Sequence, residues 1–436
     1  MSLKSYIKSS PTFSKLARRP LFYYSYLSKT IKSLQSASVP EREKATNQLL
    51  KKALFRALHT PYARNIGLPK SLDEWPICDK NTLQKHYHQM KITGIRPHLK
   101  SYSGGTTGIP VQVDLSLDAL ALEQGLLDYI VKPFSVDWFK SRIAVLRGDD
   151  FAAKTSQKKI LWKFQNGGRR LHFCSNTLNK DNISDFSDML KKFNPDILWV
   201  YPNVLRQFLN LLEGQNHQIN PKLLISSSEI FDSQLAALAI KKLNCRNILD
   251  FYGQAERVCA AFSVGGTLYH FVSAYGKVEL LFEREENNFD LYRIIGTPYW
   301  NKSYGLVRLD TGDLACLPKG LSNKSVKQIA LGTHPFLGIF GRHNDHLLSP
   351  SGEILVGIDH IQKGLKSISQ LQVVQNSTHQ VELIVIPKSN FTQNDADQLI
   401  MQARKKIPIT MGITVSLTDS LNKAPNGKVP FIIKKI

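Results

Sequence analysis

The sequence predicts an α/β protein: a large N-terminal domain with a mainly parallel sheet and a β-rich subdomain, then a small α+β C-terminal domain. Three observations predict it. Helix-like and strand-like segments alternate from Asp181 to Gly253, the texture turns β-rich from Leu268 to Leu317, and a short mixed pattern follows Gly341. Strands alternating with helices of this length are the signature of βαβ units and a parallel sheet.

Taken in order, the first hundred residues read as mostly helical and end in a loop around Pro97. A Gly/Thr loop at Ser103–Gly108 precedes a strand-like VQVDL, a helix near Leu117–Val131 and a short apolar strand at Arg142–Leu146. The alternation then runs helix Asp181–Phe193, strand Asp196–Val200, helix Val204–Leu212, strand Lys222–Ile225, helix Asp232–Leu243, strand Asn247–Phe251. Asp232 is placed to cap the third of these helices. HFVSAYGKVELLF and LYRIIGTP read as hairpin-like. After Gly341 the expected elements are strands Gln372–Val374 and Val381–Ile386, a helix at Asp395–Ala403 and a strand at Ile413–Leu417. The boundary falls within Gly341–Asp345, dividing the chain into 1–341 and 342–436.

Bulk properties narrow the function classes. At about 100–200 residues per domain, the 436 residues allow two to three domains, and 42% of them are hydrophobic. No run of about 18 apolar residues suggests a membrane span. The basic N-terminus MSLKSYIKSSPTFSKLARRP has no continuous apolar core behind it and fails as a secretory signal. A cytoplasmic, reducing compartment is therefore expected, with Cys78, Cys174, Cys245, Cys259 and Cys316 as free thiols, most of them small core residues.

The net charge of +22 favours anionic partners: nucleic acid, an acidic membrane surface or polyphosphate substrates. Its basic residues are spread out, and no zinc-finger spacing or RRM-type aromatic signature occurs, so a nucleic-acid partner is not expected. The basic, Phe- and Tyr-containing stretch through Lys32 reads either as a peripheral membrane contact or as a solvated helix face.

Five short motifs bear on chemistry. Ser103-Gly104-Gly105-Thr106-Thr107-Gly108 combines glycines with hydroxyls, which lets backbone amides approach phosphate oxygens. It lacks the G-K-[ST] ending of a Walker A loop. Phe251-Tyr252-Gly253-Gln254-Ala255-Glu256 lies at the carboxyl end of the last parallel strand, where ligands of open α/β sheets bind. There an aromatic ring can stack on a base and a carboxylate can hold Mg²⁺. Arg308-Leu309-Asp310-Thr311-Gly312-Asp313 reads as a turn ending in a carboxylate able to accept from ribose hydroxyls. Gly341-Arg342-His343-Asn344-Asp345 marks the boundary. In Pro425-Asn426-Gly427-Lys428, the Asn-Gly pair favours a tight turn that would hold Lys428 in place. Each motif alone is also what an ordinary polar turn looks like.

Their order along the chain is more specific. In that order the motifs resemble the adenylate-forming (AMP-binding) enzyme superfamily, and more closely its phenylacetate–CoA ligase branch with the capsular polysaccharide biosynthesis proteins. PDILWVYPNVL and DFYGQAERV also look typical of that branch, and the similarity runs from about Ser71 to Lys428. The resemblance implies a nucleotide- and acid-binding N-terminal domain and a C-terminal lid domain carrying a catalytic lysine.

By that resemblance Ser103, Gly104, Gly105, Thr106, Thr107 and Gly108 touch the ATP phosphates, and Ser228 with Glu229 matches the adenine-binding segment. Tyr252 and Gly253 flank adenine and the acyl pocket, and Glu256 holds Mg²⁺. Asp313 binds the ribose hydroxyls, Arg342 secures ribose or phosphate, Asn344 is the hinge, and Lys428 stabilises charge developing during adenylation. Tyr201, Pro202 and Phe251 are expected in the acid pocket and favour an apolar or aromatic acid.

The implied reaction is ATP-dependent formation of an acyl-adenylate with pyrophosphate release, followed by transfer to coenzyme A. Transfer to an amine, a hydroxyl or an acidic carrier protein stands as an alternative, in polysaccharide or secondary-metabolite biosynthesis. A catalytically silent, membrane-peripheral nucleotide-binding protein is the reading from a different class. The sequence departs from the family at Ile109, where a lysine is frequent, and at Asn344, where Asp or Lys is usual. Ser263 replaces a cysteine of the zinc site found in some relatives, so no structural zinc is expected and His270 is read as a packed or surface histidine.

Overall fold

A computed structural model describes residues 21–92, 98–102, 112–147, 160–212, 219–229, 231–286, 288–342, 347–350, 354–355, 358, 361, 365, 367–404, 406–423 and 429–436, with backbone only at 21–25, 176 and 341–342. The chain divides after Phe340 into two compact units.

In the first unit, helices Leu21–Ser36 and Val39–Ala57 precede an antiparallel pair, β1 (His98–Tyr102) and β2 (Gln112–Ser116). An eight-stranded sheet is then built from β3 (Ile143–Leu146), β4 (Trp162–Gln165), β5 (Arg170–Phe173), β6 (Ile197–Val200), β7 (Leu223–Ser227), β8 (Ile248–Gly253), β9 (Ala260–Val264) and β10 (Tyr269–Phe271). Its order is β10-β9-β8-β7-β6-β3-β5-β4. The run β5-β3-β6-β7-β8 is parallel, and β4, β9 and β10 join antiparallel at the edges.

The central strands are apolar on both faces because both are covered. Leu146, Val200 and Leu224 pack under helices Ile183–Phe193, Pro202–Leu211 and Ser233–Leu243. Val145, Ile197 and Ile225 face helices Leu21–Ser36 and Leu117–Val131. The expected cap is present: Leu235 N–H donates to Asp232 Oδ1 at 2.8 Å.

The β4–β5 hairpin and strand β9 are among the elements absent from the expectation. The β4–β5 hairpin turns on Asn166, Gly167 and Gly168, all at positive φ, a signal the sequence did carry in its Asn-Gly pair. Strand β9, which returns antiparallel on β8, follows immediately on the Gln254–Arg257 turn.

The β-rich segment forms a second sheet from β11 (Gly276–Glu285), β12 (Phe289–Pro298), β13 (Leu309–Pro318) and β14 (Gly338–Arg342) in that order. A Cβ on Gly276 would lie 2.0 Å from the Val258 carbonyl, and one on Gly296 would lie 2.6 Å from Val258 Cγ2. Only glycine lets this sheet close on the chain just past Glu256.

The second unit, taken by itself, pairs β15 (Leu347–Leu348) with β16 (Ile354–Leu355). It also forms a four-stranded sheet of β17 (Ile368–Ser377), β18 (Gln380–Pro387), β19 (Gly412–Leu417) and β20 (Ile432–Lys434), ordered β19-β18-β17-β20, with helix Gln393–Arg404. Val373, Leu383 and Val385 pack with Leu399 and Ala403 of that helix.

All five cysteines are buried and free. Burial lifts the thiols of Cys78, Cys259 and Cys316 to about 12 and that of Cys245 to about 11, as expected for core residues. No described helix is long and apolar enough to cross a membrane.

Candidate functional site

The carboxyl edge of the parallel strands assembles the site. Register pairs Leu146 with Val200, Val200 with Ser226, and Ser226 with Asp250. The next residue on each strand is Arg147, Tyr201, Ser227 and Phe251, so four neighbouring strands present one level of side chains. Tyr201 and Phe251, both expected in the acid pocket, lie on this level. Pro202 is the first residue of the helix that leaves it.

Beyond that level, Tyr252 O–H donates to Asp313 Oδ2 at 2.8 Å. Burial pushes the Tyr252 phenol well above its ordinary range, and the Asp313 charge pushes it further, so the ring keeps its proton. Two motifs separated by 61 residues meet here. The Asp313 segment differs from the simple turn the sequence suggested. Arg293 pairs with Leu314 while Ile295 pairs with Asp310, so Thr311, Gly312 and Asp313 all lie opposite Ile294. The motif is a bulge inside β13, which re-aims a side chain without ending the strand.

The two carboxylates of this motif part company. Asp310, 5% exposed, is paired with Arg293 and accepts from Gly312 N–H at 2.9 Å. Thr311 Oγ1 donates to the Ile294 carbonyl at 2.9 Å. These bonds brace the bulge and leave Asp313 aimed at Tyr252.

Glu256 is 4% exposed and lies in the turn where Arg257 N–H donates to the Gln254 carbonyl at 3.1 Å. Arg257 pairs with Glu123 of helix Leu117–Val131, and Ser101 Oγ donates to the Ala255 carbonyl at 3.0 Å. Ser101 sits on β1, whose end Tyr102 pairs with Gln112 of β2. The base of the hairpin that carries the Gly/Thr loop is thereby bonded to the turn that carries Glu256.

In the middle of the hairpin, opposite Lys100, buried Asp114 accepts from Tyr87 O–H at 2.6 Å, and Lys91 Nζ lies 3.2 Å and His98 Nε2 3.6 Å from its carboxylate. Burial raises the Asp114 carboxyl, but the Tyr87 hydroxyl and the Lys91 and His98 charges outweigh it and hold the group below its ordinary value. Sequence reasoning passed over this cluster because its members come from three separate segments.

Ser228 is exposed and has φ +74°. The Glu229 carboxylate accepts from Asn203 N–H at 2.9 Å and so caps the helix Pro202–Leu211. Among the described residues no group of three or more His, Cys, Asp or Glu side chains forms a metal cluster. Half-buried His270 is lowered by burial and by the Arg42 charge.

The loop Ser103, Gly104, Gly105, Thr106, Thr107, Gly108 lies outside the described residues, as do Asn344 and Lys428, and of Arg342 only the backbone is described. The approaches to Lys428 are described. Fully buried Gln372 on β17 donates from Nε2 to the carbonyls of Asn422 at 2.9 Å and Pro430 at 2.8 Å. Its Oε1 accepts from Asn422 N–H and Nδ2 at 3.0 Å each. One side chain therefore ties together both stems of the segment 424–428. A glutamine in the middle of a strand gives no sign of this in the sequence.

Over 92% of its length the chain superposes on 91% of a 2-hydroxyisobutyryl-CoA ligase, with a TM-score of 0.62 at 14% identity. The fold is that of the adenylate-forming ligases. An anthranilate CoA ligase, AuaEII, aligns with 76% of this chain and 65% of its own at a TM-score of 0.50 and 14% identity. Residues 347–435 match the family described as CapK C-terminal domain. Protein CapK of Staphylococcus aureus is 20% identical over 383 residues, covering 84% of this chain and 81% of CapK. The resemblance drawn from the motifs thus extends to the fold and to a CapK relative.

Proposed function

We propose that this chain activates a carboxylic acid with ATP as an acyl-adenylate and passes the acyl group to a thiol, with coenzyme A as the leading acceptor. The Tyr252–Asp313 hydrogen bond is the observation that carries the reading. It joins an aromatic ring and a ribose-type acceptor at the carboxyl edge of a parallel sheet, beside a turn bonded to the base of the Gly/Thr loop. The hydroxyisobutyryl-CoA ligase of the same fold holds an acyl-AMP, and a second structure of it holds coenzyme A as well.

In this reading Ser103–Gly108 engages the phosphates, Tyr252 and Gly253 face adenine with Ser228 and Glu229 nearby, and Asp313 accepts from the ribose hydroxyls. Arg342 secures ribose or phosphate, and Asn344 serves as the hinge. Glu256, a nearly buried hard oxygen donor, suits Mg²⁺, which would supply charge neutralisation at the phosphates. An oxygen of the acid attacks the α-phosphorus, the bond to the bridging oxygen breaks, and pyrophosphate departs. Lys428 supplies positive charge where negative charge grows. The thiol sulfur then attacks the acyl carbon, AMP leaves with the bonding pair, and the thiol proton passes to solvent. The relationship to CapK favours a second reading of the last step, transfer to an amine, a hydroxyl or a carrier protein in polysaccharide assembly.

ATP–pyrophosphate exchange across a panel of carboxylic acids tests the first step. The expected result is acid-dependent exchange that falls on the order of 10²–10³-fold in Lys428→Ala, the cost of removing one preorganised charge stabiliser. Exchange that is absent with every acid while ATP still binds would reject adenylation. Thioester formation after adding coenzyme A separates the two acceptors.

A further inference from the structure

We propose that Arg147 binds a second anionic group on the acid, so that the substrate is a carboxylic acid bearing a further carboxylate or phosphate. The inference deepens the adenylation reading and rests on it, and it replaces the apolar or aromatic acid that Tyr201, Pro202 and Phe251 suggested from sequence.

Arg147 stands at the carboxyl end of β3, on the same level of the edge as Tyr201, Ser227 and Phe251. Its guanidinium carbon lies 4.1 Å from the Trp199 ring centre and 5.0 Å from that of Tyr201. Trp199 is itself held by its indole N–H donating to Ser227 Oγ at 3.0 Å and by edge contact with Trp138 at 5.2 Å. The aromatic rings cover and orient a flat cation, as stacking on guanidinium does. They leave its N–H groups to something else.

Those N–H groups are poorly used. The Tyr201 hydroxyl, 3.5 Å from Nη2, is their one hydrogen-bond partner among the described residues. Nε is buried and has no partner among them. Arg206, Arg257, Arg293 and Arg308 behave differently, each pairing with a carboxylate. A guanidinium that is partly buried, preoriented and without a carboxylate partner among the described residues matches a ligand carboxylate or phosphate, which it can grip through two parallel N–H bonds.

Position separates this cation from the nucleotide. Strands β3, β6, β7 and β8 are successive neighbours, so three interstrand spacings, about 14 Å, lie between the Arg147 strand and the strand of Tyr252. An acid whose reacting carboxyl lies near Glu256 and whose far end meets Arg147 must carry its second charge several bonds away. Ser227 and Tyr201 offer hydroxyls along that path.

The test measures pyrophosphate exchange with α,ω-dicarboxylates from malonate to pimelate, the matching monoamides, and ω-phosphono acids of the same lengths. Expected is a preference for the doubly anionic acids over the monoamides, rising with chain length. In Arg147→Met that preference should fall on the order of 10²-fold, the scale of a lost charge-assisted hydrogen-bond pair, with partial rescue in Arg147→Lys. The dicarboxylate and phosphono series then tell which anion is read. Equal use of monoamides and diacids by the unaltered protein, or a preference unmoved in Arg147→Met, would overturn the inference. Should no acid support exchange, adenylation itself fails. Calorimetric binding of pimelate then decides Arg147 separately: binding lost in Arg147→Met supports it, and no binding rejects it.

Discussion

The two ends of the sheet's carboxyl edge are built differently. At β8 the chain is braced from all sides: Tyr252 to Asp313, Ala255 to Ser101, Arg257 to Glu123, and Val258 under Gly276 and Gly296. At β3, Arg147 has aromatic faces and, among the described residues, one long polar contact. Groups satisfied within the protein hold a fixed geometry, which suits an unchanging nucleotide. A cation left with unused donors suits the variable part of a substrate.

This contrast can be broken by mutation. The largest effect in the braced end is expected from Asp313→Ala, which removes the proposed ribose acceptor and the Tyr252 partner together. It should lower kcat/KM for ATP by about 10²-fold, and Tyr252→Phe by only about 10-fold, since one neutral donor is worth about 1 kcal/mol and hydrogen bonds to a charged group more. Steady-state kinetics in varied ATP measure both. Equal losses in the two variants would mean that Asp313 acts only through Tyr252.

A smaller effect is expected at Gln372, where the two stems of the Lys428 segment are clamped. Gln372→Ala should slow exchange by about 10-fold while leaving thioester formation from preformed adenylate unaltered, the consequence of a misplaced group. In a Lys428→Ala background the same change should add no further loss of exchange. A further loss there would show that Gln372 supports the fold and not the lysine.

The smallest effect concerns the β1–β2 hairpin. Asp114 is held below its ordinary pKa, so its contribution to stability is present above the unfolded value near 4 and is lost as pH falls through the folded one. Denaturant titrations should show stability dropping on acidification below about pH 4, with a shallower drop in Asp114→Asn. A drop of the same steepness in that variant would assign the acid sensitivity to other carboxylates, Asp196 among them, which is also lowered.

Local signals in the sequence were sufficient for the alternating core. Helices Ile183–Phe193 and Ser233–Leu243 and strands β6, β7 and β8 lie where periodicity and the Asp232 cap put them, because these features depend on neighbours in the chain. The C-terminal strands and helix followed the same rule, though β17 extends beyond Gln372–Val374 to Ile368–Ser377.

The sequence by itself also determined which residue types are available at the candidate site: Tyr252, Glu256 and Asp313. The tertiary structure alone decided what they touch. The 61-residue separation of Tyr252 from Asp313 and the 50 and 58 residues between Gln372 and its loop stems are closed only by sheet packing. The bulge that aims Asp313 at Tyr252 while Asp310 is held by Arg293 comes from strand register, and the aromatic setting of Arg147 comes from the neighbouring strand. Short-range pattern encodes elements because backbone hydrogen bonds and side-chain periodicity are local. Sites join distant segments, and their chemistry appears only when the chain is folded.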